Sequence, residues 1–116
     1  MNIQLKRVYH AASQGDGYRL LVDRIWPRGL GKEEARIDDW MKEIAPSTTL
    51  RKWFGHEPVK WEEFRRRYFA ELSDHPELVE RLVAIARSGT LTLVYSARDE
   101  EHNNAVALRE FLEGAQ

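Results

Sequence analysis

The sequence predicts one α/β domain over residues 1–116, a small and mainly parallel sheet flanked by helices. Two strand-like runs carry that prediction. Residues 18–23 have a continuous Leu20-Leu21-Val22 centre, and residues 90–95 are a β-branched and aromatic run, Thr-Leu-Thr-Leu-Val-Tyr. Apolar runs of this length suit strands buried on both faces, as parallel strands are. Helical periodicity fills the intervening chain for long enough to cross over, so the pattern is that of an α/β layer structure with right-handed connections. A length of 116 residues with 42% hydrophobic content suits a single core.

Taken in order, Ile3, Leu5, Val8 and Tyr9 suggest a first strand, with Lys6 and Arg7 leaving its register open. Residues 11–17 are turn material, rich in glycine and small polar side chains. Beyond the second strand, Pro27 keeps Trp26 out of the α region and has no amide hydrogen to donate, so residues 23–29 form a shaped loop. Ile37, Trp40, Met41 and Ile44 have helical spacing. Trp40, Lys42 and Ile44 would also satisfy an alternating strand, and a helix is the expectation adopted. Ser47 is placed to cap a short helix with Leu50, Trp53 and Phe54 on its apolar face, closed by Gly55. The next helix opens at Pro58 and repeats Trp61, Phe64, Tyr68 and Leu72 on one side. On its other side Glu62–Arg66 and Glu63–Arg67 are expected as i,i+4 pairs contributing about 0.2–0.5 kcal/mol each. A further helix begins at Asp74 and Pro76, buries Leu78, Leu82 and Ile85, and stops at Ser88 and Gly89. After the strand at 90–95, a last helix buries Ala105, Leu108, Phe111 and Leu112.

Composition removes several classes of function. Eighteen Lys and Arg are balanced by 19 Asp and Glu, for a net charge of −1. This is unlike a single-sign disordered chain, and it removes the counterion-release drive behind most nucleic-acid binding. Arg65, Arg66 and Arg67 are interleaved with Glu62, Glu63 and Glu71, so they read as a solvated helix face, with Arg65 nearest the core stripe. With no cysteine there are no disulfides, thiolate nucleophiles or Cys-based metal sites, and the chain fits a reducing compartment. Residues 1–10 contain no apolar signal core, and no apolar run is long enough to span a bilayer, so a cytoplasmic location without membrane contact is expected.

In open parallel sheets, ligands bind beyond the carboxyl ends of the strands. That rule selects residues 23–29 and residues 96–104. If the two strands are parallel neighbours, Arg24, Arg28, Arg98, Asp23, Asp99, His102, Asn103 and Asn104 meet at one rim. In the first segment, Trp26 beside Arg24 and Arg28 offers a stacking surface with guanidinium clamps. Alternatively, Trp26 plugs the sheet edge while Arg24 pairs with Asp23 or another acid. In the second segment, Ser96 and Arg98 at a strand–helix corner could cradle an anion. Alternatively, Asp99 is the N-cap, Glu100 and Glu101 sit in the first helical turn, and Arg98 pairs with one of them. No His-x3-His or HExxH spacing occurs among the four histidines, so neither a metal nor a cofactor is expected. Ser96 lacks the G-x-S-x-G elbow of a hydrolase nucleophile.

At these same segments the chain resembles the YeaO-like branch of the bacterial domain of unknown function family 488. The resemblance covers nearly the whole length. Its landmarks are Lys6-Arg7-Val8-Tyr9, the Leu-Val-Asp-Arg-Ile-Trp-Pro-Arg-Gly element at 21–29, the Ala-Pro-Ser-Thr-Thr-Leu-Arg-Lys-Trp-Phe element at 45–54, and Leu-Val-Tyr-Ser-Ala-Arg at 93–98. It implies an α/β domain and no particular reaction. A sister branch carries a Cys near the position of Ser96 and a Cys-His pair near Asn103 and Asn104. By that comparison this chain has lost both thiols, leaving Ser96, His102 and Asn103, and a Cys-based mechanism is out of reach.

The leading expectation is a cleft that binds a small anionic ligand, such as a phosphorylated metabolite or nucleotide. Its wall is expected to comprise Arg24, Trp26, Arg28, Arg51, Trp53, Ser96, Arg98 and Asn103, with His56 and Asp99 as the proton-handling candidates if chemistry occurs. An alternative is a non-catalytic interaction module that buries Trp26, Trp40 and Trp53 against a protein partner. A weak nucleic-acid binder centred on Arg65 is the third reading.

Overall fold

Parallel strands cannot be joined by tight turns, so each connection must leave the sheet and return over one of its faces. The computed structural model, which describes residues 1–115, shows how this chain does so. Four strands, β1 (Asn2–Arg7), β2 (Tyr18–Leu21), β3 (Asp39–Trp40) and β4 (Thr90–Tyr95), form one all-parallel sheet in the order β1-β4-β2-β3. The helices are α1 (Lys32–Ala35), α2 (Thr48–Phe54), α3 (Trp61–Leu72), α4 (Pro76–Ser88) and α5 (Asn104–Gly114). The result is a single α/β domain. None of the helices described is long and apolar enough to cross a membrane.

The alternation of side chains along each strand sorts the core into two layers. Leu20, Val22, Leu91, Leu93 and Tyr95 face a large cluster built with α2, α3, α4 and α5. Leu21 and Val94 face the other way, where Val8, Ala35, Trp26, Leu30, Ile37 and Trp40 cover them. Leu20, Leu21, Val22, Leu91, Leu93 and Val94 have no exposed surface, which accounts for the unbroken apolar character of both runs. A fully buried Leu or Val of this kind is worth about 1.5–3 kcal/mol.

Helix ends follow local chemistry closely. The Ser47 hydroxyl accepts the Leu50 N–H at 3.1 Å, and Gly55 closes α2 at φ +53°. The hydroxyl of Tyr68, on α3, reaches across to the Ile44 carbonyl at 2.5 Å, and burial pushes that hydroxyl's pKa far up.

Several expectations are corrected. Residues 37–44 are not a helix: Asp39–Trp40 pair with β2, and Lys42–Ile44 form a 3₁₀ turn. The free edge of β2 decides this, since Asp38 N–H donates to Arg19 O and Met41 N–H to Leu21 O. In α4 the buried residues are Val79, Leu82, Val83 and Ala86, while Leu78 and Ile85 flank them half-buried. Phe111 is likewise half-buried, and Ala107 takes the fully buried position. On α3, Glu63 pairs with both Arg66 and Arg67, and Glu62 pairs with Arg65 rather than Arg66. The two guanidiniums hold the Glu63 carboxyl down at about 2.

A buried ionic cluster lies where the apolar pattern breaks at Arg19. Its guanidinium bonds Asp16 at 2.6 Å, Ala35 O at 2.8 Å and Arg36 O at 2.9 Å, so it occupies the unpaired carbonyl end of α1. Lys6 meets the other oxygen of Asp16 at 2.8 Å. Burial would raise the Asp16 carboxyl, but hydrogen bonds from Lys6, Ser13 and Arg19 outweigh it and leave the pKa far below the ordinary value. This carboxylate therefore stabilises the fold at neutral pH, and the contribution is lost as pH falls below about 4 toward the depressed pKa. Asp16→Asn should cost about 3 kcal/mol or more in urea unfolding at neutral pH, because Arg19 is left buried without its counter-charge. The gap between variant and wild type should narrow when unfolding is repeated at about pH 3. Gly17 offers a second check. At φ +61°, an added Cβ would lie 2.4 Å from Thr90 O, so Gly17→Ala should destabilise by roughly 2–6 kcal/mol in the same assay.

Candidate functional site

The chain leaves β2 and β4, neighbours in the sheet, toward opposite faces. From β2 it passes to α1, whose Ala35 packs in the smaller layer, and from β4 to α5, which packs in the larger. Divergence of adjacent connections opens a crevice beyond the strand ends. The crevice is a cleft of about 1000 Å³.

Both segments selected from the sequence line it. Arg24, Trp26, Arg28, Ser96, Arg98, Asp99 and Asn103 border this one cleft, and Arg51 and His56 reach it from α2 and the turn that follows. Trp53 does not. It packs with the larger layer, beneath Arg67 at 4.3 Å and Lys60 at 5.1 Å, so its expected place on the cleft wall is corrected. Trp26 and Trp40 meet edge to face at 5.3 Å in the opposite layer, and the three indoles therefore share no common surface. Arg65 is also outside the cleft, bonded to Glu110 and Glu62.

Asp23 holds the rim together. Its Oδ2 accepts the Ser96 N–H at 2.9 Å and the Ser96 hydroxyl at 2.7 Å, and its Oδ1 accepts the Asn104 amide at 3.1 Å. Asn104 also donates to Val22 O at 2.9 Å, so the end of β2 is clamped to both the loop after β4 and the start of α5. Burial pushes the Asp23 carboxyl up, opposed by these bonds and by the charge of Arg51.

The arginines divide into two sets. Arg24 does not pair with Asp23 or any other acid; it donates to Pro46 O at 3.1 Å and Ala45 O at 3.2 Å. Arg7 donates to Ala97 O at 3.0 Å and lies over the Tyr9 ring at 4.7 Å. These two brace the walls. Arg28, Arg51 and Arg98 are exposed, and their side chains have no hydrogen bond or ion pair among the described residues.

The loop after β4 differs from the expected capping scheme. The N-cap of α5 is Asn103, not Asp99, and Glu100 and Glu101 precede the helix. Asn103 is buried, with its oxygen accepting Val106 N–H at 3.0 Å and its amide donating to Asp99 O at 2.9 Å. It lines the cleft as a structural brace. Asp99 accepts the backbone N–H groups of Glu101 and His102, which hold its pKa below the ordinary value, and its other oxygen meets His102 Nδ1 at 3.0 Å. His102, set edge to face against Trp61 at 5.4 Å, is thus the histidine placed with Asp99. His56, the other proton-handling candidate, also lines the cleft, in a left-handed conformation at φ +58°, and its side chain has no hydrogen bond or ion pair among the described residues. Among the described residues no group of three or more His, Asp or Glu could hold a metal ion.

Sequence reasoning singled out neither Arg7 and Tyr9 nor Ile25 for the cleft, and it brought Asp23, His102 and Asn104 to the rim without foreseeing the Asp23 clamp or the Asp99–His102 pair; all six line the cleft. For Arg7 and Tyr9 the signal was available: the strand-end rule applies equally to β1, which adjoins β4. For Asp23 it was a polar residue directly after a fully buried run.

Comparison with known proteins agrees with the family that the sequence landmarks imply. The sequence profile described as "Inactive DUF488-N3 subclade" matches residues 2–116. The chain is 52% identical over 112 residues to the "Uncharacterized protein YeaO" of Escherichia coli, covering 97% of each. It is 39% identical over 112 residues to the "Uncharacterized protein Rv3073c" of Mycobacterium tuberculosis, covering 97% of this chain and 94% of the other. No solved structure matches it significantly. A profile match that runs from end to end makes the chain a member of the inactive DUF488-N3 subclade, and it is similar over nearly its whole length to YeaO.

Proposed function

We propose that this protein binds a small anionic ligand, a phosphorylated metabolite or nucleotide, in the cleft at the carboxyl ends of β1, β2 and β4. The carrying observation is a local imbalance of charge. In a chain of net charge −1, five guanidiniums line one cleft against two carboxylates. Both carboxylates are engaged, Asp23 by Ser96 and Asn104 and Asp99 by His102 and two backbone N–H groups. Elsewhere Arg19, Arg65, Arg66, Arg67 and Arg81 each face an acid, while Arg36, Arg87 and Arg109 have no ion pair among the described residues and do not line the cleft. A concave site lined by one sign of charge concentrates ligands of the other sign. Arginine suits phosphate and carboxylate because its planar fork donates two parallel hydrogen bonds.

Binding rather than turnover is the reading that fits the family description and the composition. The subclade is described as inactive, and the chain has no cysteine to act as a nucleophile. The Ser96 hydroxyl donates to Asp23, a bond that steadies the rim. His102, oriented by Asp99, is the side chain best placed to donate to or accept from a bound group.

A thermal-shift screen of phosphorylated metabolites tests the proposal. A true ligand should stabilise the wild type by about 2.7 kcal/mol at roughly a hundred times its dissociation constant. Arg28→Ala and Arg98→Ala should each weaken that ligand at least tenfold while leaving the unliganded melting temperature nearly unchanged, since both side chains are exposed and unpaired. A stabilising ligand whose effect survives both substitutions in full overturns the assignment of this cleft.

A further inference from the structure

Within the anion-binding reading of the cleft, on which this inference rests, we propose that the ligand is a nucleoside di- or triphosphate, a flat aromatic body joined to at least two linked phosphates. Three observations support that class. The first is size. A cleft of about 1000 Å³ lies at the upper end of the range of about 300–1,000 Å³ that accommodates drug-sized ligands, and an isolated phosphate would leave most of it to water.

The second is an apolar wall among the cations. Among the described residues four large hydrophobic side chains are markedly exposed, and two of them, Ile25 at 58% and Tyr9 at 42%, line this cleft. The Tyr9 ring is held in place, with Arg7 over it at 4.7 Å and its hydroxyl bonded to Arg28 O at 2.8 Å. A fixed aromatic ring and an exposed Ile beside the arginines gain stability when an apolar, planar group covers them.

The third is the distribution of the free charges. Arg28 follows β2, Arg51 lies on α2 and Arg98 follows β4, so the unpaired guanidiniums come from three separate segments. Guanidiniums spread around a cleft in this way match a chain of linked phosphates, in which each group offers its own oxygens.

Calorimetric titration at fixed ionic strength separates the parts of such a ligand. The probes are inorganic phosphate, pyrophosphate, adenosine, and the diphosphates of adenosine, guanosine, cytidine and uridine. At least one nucleoside diphosphate should bind tenfold or more tightly than pyrophosphate, and pyrophosphate tenfold or more tightly than phosphate, with adenosine weakest. Ile25→Ser should reduce the preference for that nucleoside diphosphate over pyrophosphate at least threefold, whereas Arg98→Ala should weaken both. Ile25 is exposed, and an unchanged circular dichroism melt confirms that its variant is folded. Equal affinity for phosphate and every nucleoside diphosphate, or a preference untouched by Ile25→Ser, overturns the nucleotide inference and leaves the anion site standing. Failure of every phosphate-bearing probe to bind overturns both.

Discussion

Because β4 takes ladder hydrogen bonds on both edges, the sheet exists only once a strand near the end of the chain has inserted between two strands near its beginning. Asn2 aligns with Thr90 and Arg7 with Tyr95 on one side, while Tyr18 aligns with Leu91 on the other. Without β4, β1 and the β2–β3 pair are separate edges, each too small to bury a face. The insertion brings the ends of three strands to one rim, and it sends the exits of β2 and β4 over opposite faces. The cleft is a direct product of that pairing.

The rim is then fixed by polar contacts. Asp23 clamps the loop after β4 and the first residue of α5, Arg7 braces Ser96 and Ala97, and Arg24 ties the β2 loop to Ala45 and Pro46. Each of these groups would favour water if left alone, and together they convert strand ends into a shaped wall. The remaining guanidiniums, those of Arg28, Arg51 and Arg98, border the same cleft on a frame that does not use them. This division between bracing and free arginines separates structure from candidate function more clearly than exposure alone. Arg24 and Arg28 stand in the same short loop, yet one is bonded to the backbone of a neighbouring segment and the other is exposed and unpaired at the cleft.

Much of this was legible in the residues. The two buried runs announced the central strands, Ser47 and Gly55 marked the ends of α2, and the strand-end rule selected both principal segments of the cleft. Local pattern misled where tertiary pairing competed with it. Residues 37–44 satisfy both helical and extended spacing, and only the unpaired edge of β2 decides between them. In α4 the stripe shifted by one position because the layer it packs on, and not the helix itself, selects the buried face. Trp53 is near Arg51 in sequence, but a separation of two residues on a helix leaves one side chain at the cleft and the other beneath Arg67.

By itself, the amino-acid sequence determined an α/β domain, its central strands, the caps of α2, the absence of thiol chemistry and, through the Asp-Arg-Ile-Trp-Pro-Arg-Gly element, its family. These are properties of local conformation and composition, which neighbouring residues set. Tertiary structure decided the strand order, the pairing of Asp99 with His102 and the sorting of the arginines into braces and free charges. Those depend on contacts between segments as many as 90 residues apart, such as Arg7 with Ala97, and a guanidinium has the same chemistry in the sequence whichever partner it later meets.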